Sequence, residues 1–166
     1  MQPETGEVQV GKIEAAREID ASPEAIWRVV LAYEQWPEWS PLFQLVEPES
    51  PELGLNSEWT LNGVIGRVPY SGRFRQVGHR PLEAFAFASI RVSPPYDFIR
   101  HTVLLDRAAT RPILTWRIEY SMSGGPGGWL IDRLLVRRGL DGFLDRALDA
   151  VAEEVQPQPP PNGRRA

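Results

Sequence analysis

The sequence has no cysteine, and this absence removes three kinds of chemistry at once. A disulfide framework, a thiolate metal site and a thiol nucleophile are all excluded. Only two histidines are present, in separate predicted elements, and the acidic residues fall mostly on polar faces, so we expect no metal. The glycine-rich run at residues 124–128 lacks the Gly-Lys-Ser/Thr ending of a phosphate-binding loop, and no cofactor is expected.

The sequence also lacks an excess of positive charge and a long hydrophobic run. Its formal net charge is −4 and its pI is about 5.3, which argues against a nucleic-acid partner, because nucleic acids are bound chiefly through clustered lysine and arginine. No apolar run approaches the ~20 residues that span a bilayer, and the first residues lack the pattern of a signal peptide. We therefore expect a cytoplasmic protein without stable membrane insertion, of unknown oligomeric state.

The composition is that of one globular domain. The chain has 166 residues, of which 42% are hydrophobic and 24% charged, so it is long enough to bury a sizeable core. Residues 1–11 are polar and residues 156–166 are rich in proline, so both ends are predicted to be flexible. The folded domain is expected to span residues 12–155.

A strand and two short helices open this domain. Residues 12–20 alternate between apolar and polar side chains, which is typical of a half-buried strand. Ser22 and Pro23 supply an N-cap and a first-turn proline for a helix that runs to about Tyr33. Two prolines within residues 34–41 limit the next segment to a second brief helical turn.

Residues 43–122 carry the period-two pattern of strands separated by short turns. Six strands are predicted, at residues 43–47, 58–65, 70–78, 83–91, 98–107 and 113–122. The short connections imply an antiparallel meander, because parallel pairing would require long crossovers. Together with the first strand, the sheet is expected to have seven strands and one apolar face.

Alternation along the strands indicates which side chains share the apolar face. The residues that we expect to line a ligand cavity there are Trp39, Trp59, Leu61, Tyr70, Phe74, Phe85, Phe87, His101, Trp116 and Tyr120. Their aromatic area suits a lined cavity with a few polar anchors. The alternative is that the rings fill the centre of the domain themselves.

A long helix is predicted over residues 129–155, after the glycine-rich segment. Its apolar residues form two stripes of different phase, and the change coincides with Gly139 and Gly142, which predicts a bend or an unwound step there. We expect the second half of the helix to seal the sheet. The first half is expected to cross the mouth of the cavity and to contribute Leu134, Leu135 and Arg138 to ligand binding.

The order of elements resembles the helix-grip superfamily. The resemblance is carried by EIDASPEAIWRVVLAYEQWPEW (residues 18–39), SGRFRQVGHRPLEAFAF (71–87) and LIDRLLVRRGLDGFLDRALDAVAEE (130–154). The superfamily includes START lipid-transfer domains, birch-pollen-allergen-like proteins and bacterial polyketide cyclase/dehydrase relatives (SRPBCC). The resemblance implies an α+β helix-grip fold, in which a curved antiparallel sheet wraps the last helix around a pocket for lipids, polyketides or similar molecules. It implies no shared catalytic motif.

Two kinds of charged or titratable side chain fall within apolar faces. His101 is a candidate general acid or base together with Tyr120, although a buried histidine with satisfied hydrogen bonds is the alternative. Arg17 and Arg138 lie within apolar stripes, where each could bind a ligand carboxylate or instead reach a nearby acidic residue.

Three functions are therefore open. The first is binding or transport of a small hydrophobic or aromatic molecule, lipid-like or polyketide-like, between the sheet and the last helix. The second is a cyclase, dehydratase or isomerase that uses His101 and Tyr120 on such a molecule. The third is a protein-interaction module that acts through the exposed face of the sheet or through the proline-rich tail.

Overall fold

A seven-stranded antiparallel sheet forms one side of the protein, whose computed structural model describes residues 10–49, 54–123 and 125–156. The strands are β1 (Val10–Glu18), β2 (Phe43–Pro48), β3 (Glu58–Ile65), β4 (Val68–Arg80), β5 (Ala84–Val92), β6 (Tyr96–Asp106) and β7 (Ile113–Met122). They lie in the order β1-β7-β6-β5-β4-β3-β2. The predicted antiparallel meander is confirmed, with β1 closing onto β7.

Two short helices follow β1, as the sequence predicts. α1 (Pro23–Leu31) begins with the Ser22 hydroxyl accepting a hydrogen bond from the backbone N–H of Ala25, which satisfies one of the free N–H groups of the first turn. A 3₁₀ turn (Tyr33–Gln35) leads directly into the one-turn helix α2 (Trp36–Trp39). These helices cover one end of the apolar face of the sheet.

The C-terminal helix is interrupted twice. It runs through α3 (Gly125–Ile131), a π-helical turn (Asp132–Val136) and α4 (Arg137–Gly139), then restarts as α5 (Phe143–Val155). Gly142 has a φ of +65° at the start of α5, a left-handed conformation that favours glycine. The predicted step at Gly139–Gly142 is therefore confirmed. We refer to residues 125–139 as the cover segment.

The two halves of this helix differ in how they meet the sheet. α5 buries a continuous apolar stripe, formed by Phe143, Leu144, Ala147, Leu148 and Val151. Its Asp149 pairs with Arg17 of β1 at the surface, so Arg17 reaches an acidic residue and does not point into the core. The second half of the helix thus seals the sheet as predicted.

The ends of the chain fall largely outside the described residues. β1 begins at Val10, two residues before the start of the strand that alternation predicted. Residues 157–166, which hold most of the proline-rich tail, and residues 1–9 are not among those described. No helix in the described ranges is long and apolar enough to cross a bilayer.

Candidate ligand-binding site

The apolar face of the sheet carries a cluster of aromatic rings in mutual contact. We define the aromatic cluster as Trp36, Phe43, Trp59, Phe85, Phe87 and Trp116. Their neighbouring ring centroids lie 4.7–6.4 Å apart, the range of ordinary aromatic packing. The inward orientation predicted for four of these residues is confirmed, since Trp59, Phe87 and Trp116 have no exposed surface and Phe85 has 1%. A ligand that reached this cluster would have to displace rings.

Three tyrosines continue the apolar face beyond the cluster. Tyr70 of β4, Tyr96 of β6 and Tyr120 of β7 form a tyrosine row in which consecutive ring centroids are 6.0 Å apart and nearly perpendicular. Phe74 packs beside Tyr70 at 5.8 Å. All three tyrosines are buried, and burial raises the pKa of each hydroxyl above its ordinary value. The row therefore offers neutral hydroxyl groups within an apolar surface.

His101 joins the tyrosine row to the aromatic cluster. The Nε1–H of Trp116 donates to His101 Nδ1 at 3.2 Å, and His101 Nε2 lies 3.2 Å from the hydroxyl oxygen of Tyr70. Since an indole can only donate, Nδ1 carries no proton and the neutral ring carries its proton on Nε2. Burial lowers the pKa of His101 to about 3, which keeps the ring neutral in neutral solution. Both ring nitrogens are thus satisfied within the core.

Asp132 connects the tyrosine row to the cover segment. Tyr120 donates a hydrogen bond from its hydroxyl to Asp132 Oδ1 at 2.6 Å, and Arg137 Nε donates to Asp132 Oδ2 at 3.1 Å. The carboxylate side chain is only 13% exposed. Asp132 begins the π-helical turn, and such turns are often found at functional sites. One carboxylate thereby attaches the cover segment to the sheet.

A close backbone contact holds the other end of the cover segment. Gly66, in the turn between β3 and β4, has a φ of +63°, and a Cβ there would lie 2.5 Å from the carbonyl oxygen of Val136. A Cβ on Gly139 would lie 2.7 Å from the carbonyl carbon of Gly66. Both positions require glycine because no side chain fits between the two backbones. Val136 is fully buried at this contact.

The structure tests the expected position of two of the three predicted cover-segment residues. Leu134 and Leu135 are 41% and 46% exposed, so the prediction that they face the sheet is wrong. The inward side is formed by Gly128, Asp132 and Val136, which are spaced four residues apart and share one face of the segment. The side chain of Arg138 is not among those described, and its role stays a prediction.

The remaining predicted residues take the expected face, with one difference. Leu61 is fully buried, as are Phe74 and His101. Trp39 is half-buried at the end of α2 and packs against the core. Its neighbour Trp36 takes the central position instead, with its indole N–H donating to the carbonyl oxygen of Val30 at 3.1 Å. Whether these residues contact a ligand is still a prediction.

Sequence reasoning missed four residues of this region: Trp36, Phe43, Tyr96 and Asp132. Tyr96 was missed because the predicted strand began at residue 98, whereas β6 begins at Tyr96, and a bulge between Tyr96 and Phe98 also reverses the alternation there. Asp132 was missed because an acidic residue on a predicted helix is ordinarily expected to be exposed to solvent. The double tryptophan of α2 was the available signal for Trp36.

The remaining polar groups of this region are two buried indole N–H groups and scattered acidic residues. The indole N–H groups of Trp27 and Trp59 are buried and have no hydrogen-bond partner within the described residues. The same part of the chain contains no group of three or more His, Asp or Glu side chains that could hold a metal ion. The polar groups on the inner side of the sheet are thus hydroxyl, indole and imidazole groups, together with the Gln76 amide and the Asp132 carboxylate of the cover segment.

A buried aromatic face, a row of tyrosines and an interrupted cover agree with a match to a family model. Residues 10–156 match the family described as polyketide cyclase/dehydrase and lipid transport. The chain belongs to this family. No curated protein matches the sequence.

Solved structures show the same fold at low sequence identity. A Thermus thermophilus protein is 17% identical, with a TM-score of 0.71 over 87% of this chain and 97% of that one. A START superfamily protein from Mycobacterium smegmatis is 13% identical, with a TM-score of 0.68 over 87% of this chain and 96% of that one. The di-domain ARO/CYC protein BexL is 13% identical, with a TM-score of 0.71 over 93% of this chain but 53% of that one. The predicted α+β helix-grip fold is confirmed.

Proposed function

We propose that this protein binds or transports a small hydrophobic or aromatic molecule, lipid-like or polyketide-like, between the tyrosine row and the cover segment. The observation that carries the proposal is the row itself. Tyr70, Tyr96 and Tyr120 present three buried hydroxyls on a largely apolar face, and Tyr120 contacts the interrupted helix through Asp132. Burial of apolar ligand surface would supply the affinity, and the hydroxyls would orient the molecule.

The cover segment is the part of the helix that can open to admit a ligand. α5 is held by its continuous buried stripe, whereas the cover segment turns only a few side chains inward. The backbone step at Gly142 lies between the two and can absorb a change of angle. Release of Asp132 from Tyr120 would let the segment swing away from the tyrosine row while α5 stays in place.

The geometry favours binding over acid–base catalysis. His101 accepts a hydrogen bond from the indole N–H of Trp116 at its one basic nitrogen, and its lowered pKa leaves it a weak base. The Tyr120 hydroxyl donates a hydrogen bond to Asp132. Its pKa is raised mainly by burial and also by the nearby carboxylate. The two residues of the catalytic hypothesis thus have separate hydrogen-bond partners. The family match supports the ligand class, since its description includes lipid transport.

A fluorescent apolar probe tests this proposal. We expect 1-anilinonaphthalene-8-sulfonate to bind the folded protein at one saturable site. Tyr120→Phe loosens the cover segment and Tyr70→Phe removes an orienting hydroxyl, so both variants should change the dissociation constant by several-fold.

The matched control is Tyr33→Phe, a buried tyrosine whose ring contacts Trp36 and Trp59 at the other end of the face. The Tyr33→Phe variant should bind the probe with the same dissociation constant as the unsubstituted protein. A folded protein without saturable probe binding, or equal effects of all three variants, would argue against this site.

A further inference from the structure

The outer side of the cover segment exposes an unusual amount of apolar surface. Trp129, Leu130, Leu134 and Leu135 are 49%, 49%, 41% and 46% exposed, and we call them the apolar patch. Leu130 and Leu134 are four residues apart and therefore adjacent on the helix surface. Four large apolar side chains are thus exposed on one short segment, and a concentration of exposed apolar surface marks an interaction site.

The apolar patch is combined with positive charge, although the protein as a whole is acidic. The cover segment contains three arginines and one aspartate, a formal charge of +2, within a chain whose net charge is −4. The Arg133 guanidinium lies over the Trp129 ring, 5.3 Å from its centroid. Arg137 is 60% exposed and neutralises the single aspartate, Asp132. Arg133 thus borders the patch, and the one acidic residue of the segment, Asp132, is paired and mostly buried.

We propose that the cover segment docks this protein reversibly onto the surface of an anionic lipid bilayer. Tryptophan and leucine side chains at the level of the headgroups, with arginines reaching the lipid phosphates, are the arrangement by which interfacial helices bind membranes. The charge of the segment is complementary to anionic lipid, whereas the rest of the chain is repelled by it. The proposal rests on the outer side of the segment and does not depend on the ligand proposed for its inner side.

A second copy of the chain fits this surface less well. A two-fold symmetric interface would bring together two cover segments that each carry a formal charge of +2. Repulsion between like charges would oppose that contact in the same place where the apolar side chains favour it. An anionic surface has no such conflict.

Vesicle co-sedimentation of the full chain tests the proposal. We expect binding to vesicles of phosphatidylcholine with 30% phosphatidylglycerol, weak binding to phosphatidylcholine alone, and loss of binding as NaCl is raised from 0.1 to 0.5 M. Leu134→Ser combined with Leu135→Ser should lower the partition coefficient by at least about tenfold, because two apolar side chains no longer enter the headgroup region. Arg133→Gln should lower it on anionic vesicles alone.

The matched control is Leu55→Ser combined with Ile90→Ser, which removes two apolar side chains that are 66% and 47% exposed elsewhere. This variant should bind vesicles like the unsubstituted protein, and circular dichroism should show that all variants are folded. The proposal is overturned if the unsubstituted protein does not bind anionic vesicles, or if both double variants behave alike. It is equally overturned if the leucine pair abolishes a concentration-dependent dimer without affecting vesicle binding.

Discussion

Trp116 donates its indole N–H to the Nδ1 atom of His101 at 3.2 Å, in a part of the core where neither side chain is exposed. This contact decides the state of the histidine. The ring must be neutral and must carry its proton on Nε2, toward Tyr70. Protonation of Nδ1 would place two donors against each other without access to water, so the folded protein resists the charge.

The first prediction concerns acid stability. Burial lowers the pKa of His101 to about 3, while an unfolded histidine has a pKa of about 6.5, so between these values the unfolded state binds the extra proton. The contribution of His101 to stability is therefore present above pH 6.5 and is lost as pH falls. Urea unfolding should show a loss of about 2 kcal/mol from this residue between pH 7 and pH 5.

The comparison that isolates this effect uses His101→Gln. The variant is expected to be less stable than the unsubstituted protein at pH 7, because it disturbs two buried hydrogen bonds. The difference in the free energy of unfolding between the variant and the unsubstituted protein should become smaller toward pH 5. A difference in the free energy of unfolding that is constant between pH 7 and pH 5 would show that His101 titrates in the folded protein as it does in the unfolded chain.

The second prediction concerns the bond between Tyr120 and Asp132. Tyr120→Phe removes a hydrogen bond to a charged group, worth about 1.5–3 kcal/mol, while keeping the ring. Because the proposed opening of the cover segment leaves α5 folded, the loss should appear as faster amide hydrogen exchange within residues 125–139. Tyr96→Phe, which loses a bond to the carbonyl of Val68, should leave exchange in those residues unchanged. Unchanged exchange in the Tyr120 variant would mean that this bond does not hold the segment.

The third prediction compares two glycines of the cover segment. A Cβ at Gly139 would lie 2.7 Å from the backbone of Gly66, whereas nothing lies within 4 Å of a Cβ at Gly127. Gly139→Ala should therefore lower the free energy of unfolding by about 1–3 kcal/mol through overpacking. Gly127→Ala should raise it by up to about 1 kcal/mol, since alanine favours the helix. Urea midpoints of the two variants measure both effects, and equal midpoints would contradict the close contact.

The regular strands explain why much of this fold was predictable. The alternation of apolar and polar residues correctly predicted that Tyr70, His101 and Tyr120 face inward, because the strand pairing is regular at these residues. The break in the last helix was predictable for a similar reason, since its two glycines coincide with a change of phase. Local sequence patterns were sufficient to predict side-chain orientation wherever a strand or helix keeps its regular periodicity.

The end of the molecule that holds the proposed site was less predictable because the backbone changes period there. A bulge reverses the strand alternation next to Tyr96. A π-helical turn interrupts the last helix in the stretch where Asp132 lies inward and Leu135 is exposed. The bond between Tyr120 and Asp132 further depends on two elements meeting in space. Neither a bulge nor a π-turn has a sequence signal as regular as the elements that it interrupts.

Native mass spectrometry of the full chain purified from its own host tests the proposed ligand most directly. We predict a species heavier than the 18.7 kDa chain by the mass of one small molecule, which is lost when the protein is denatured. The released molecule should be apolar and should bind again at one site. A spectrum that shows only the bare chain in every growth condition would contradict the central claim that the protein holds a hydrophobic ligand beneath its cover segment.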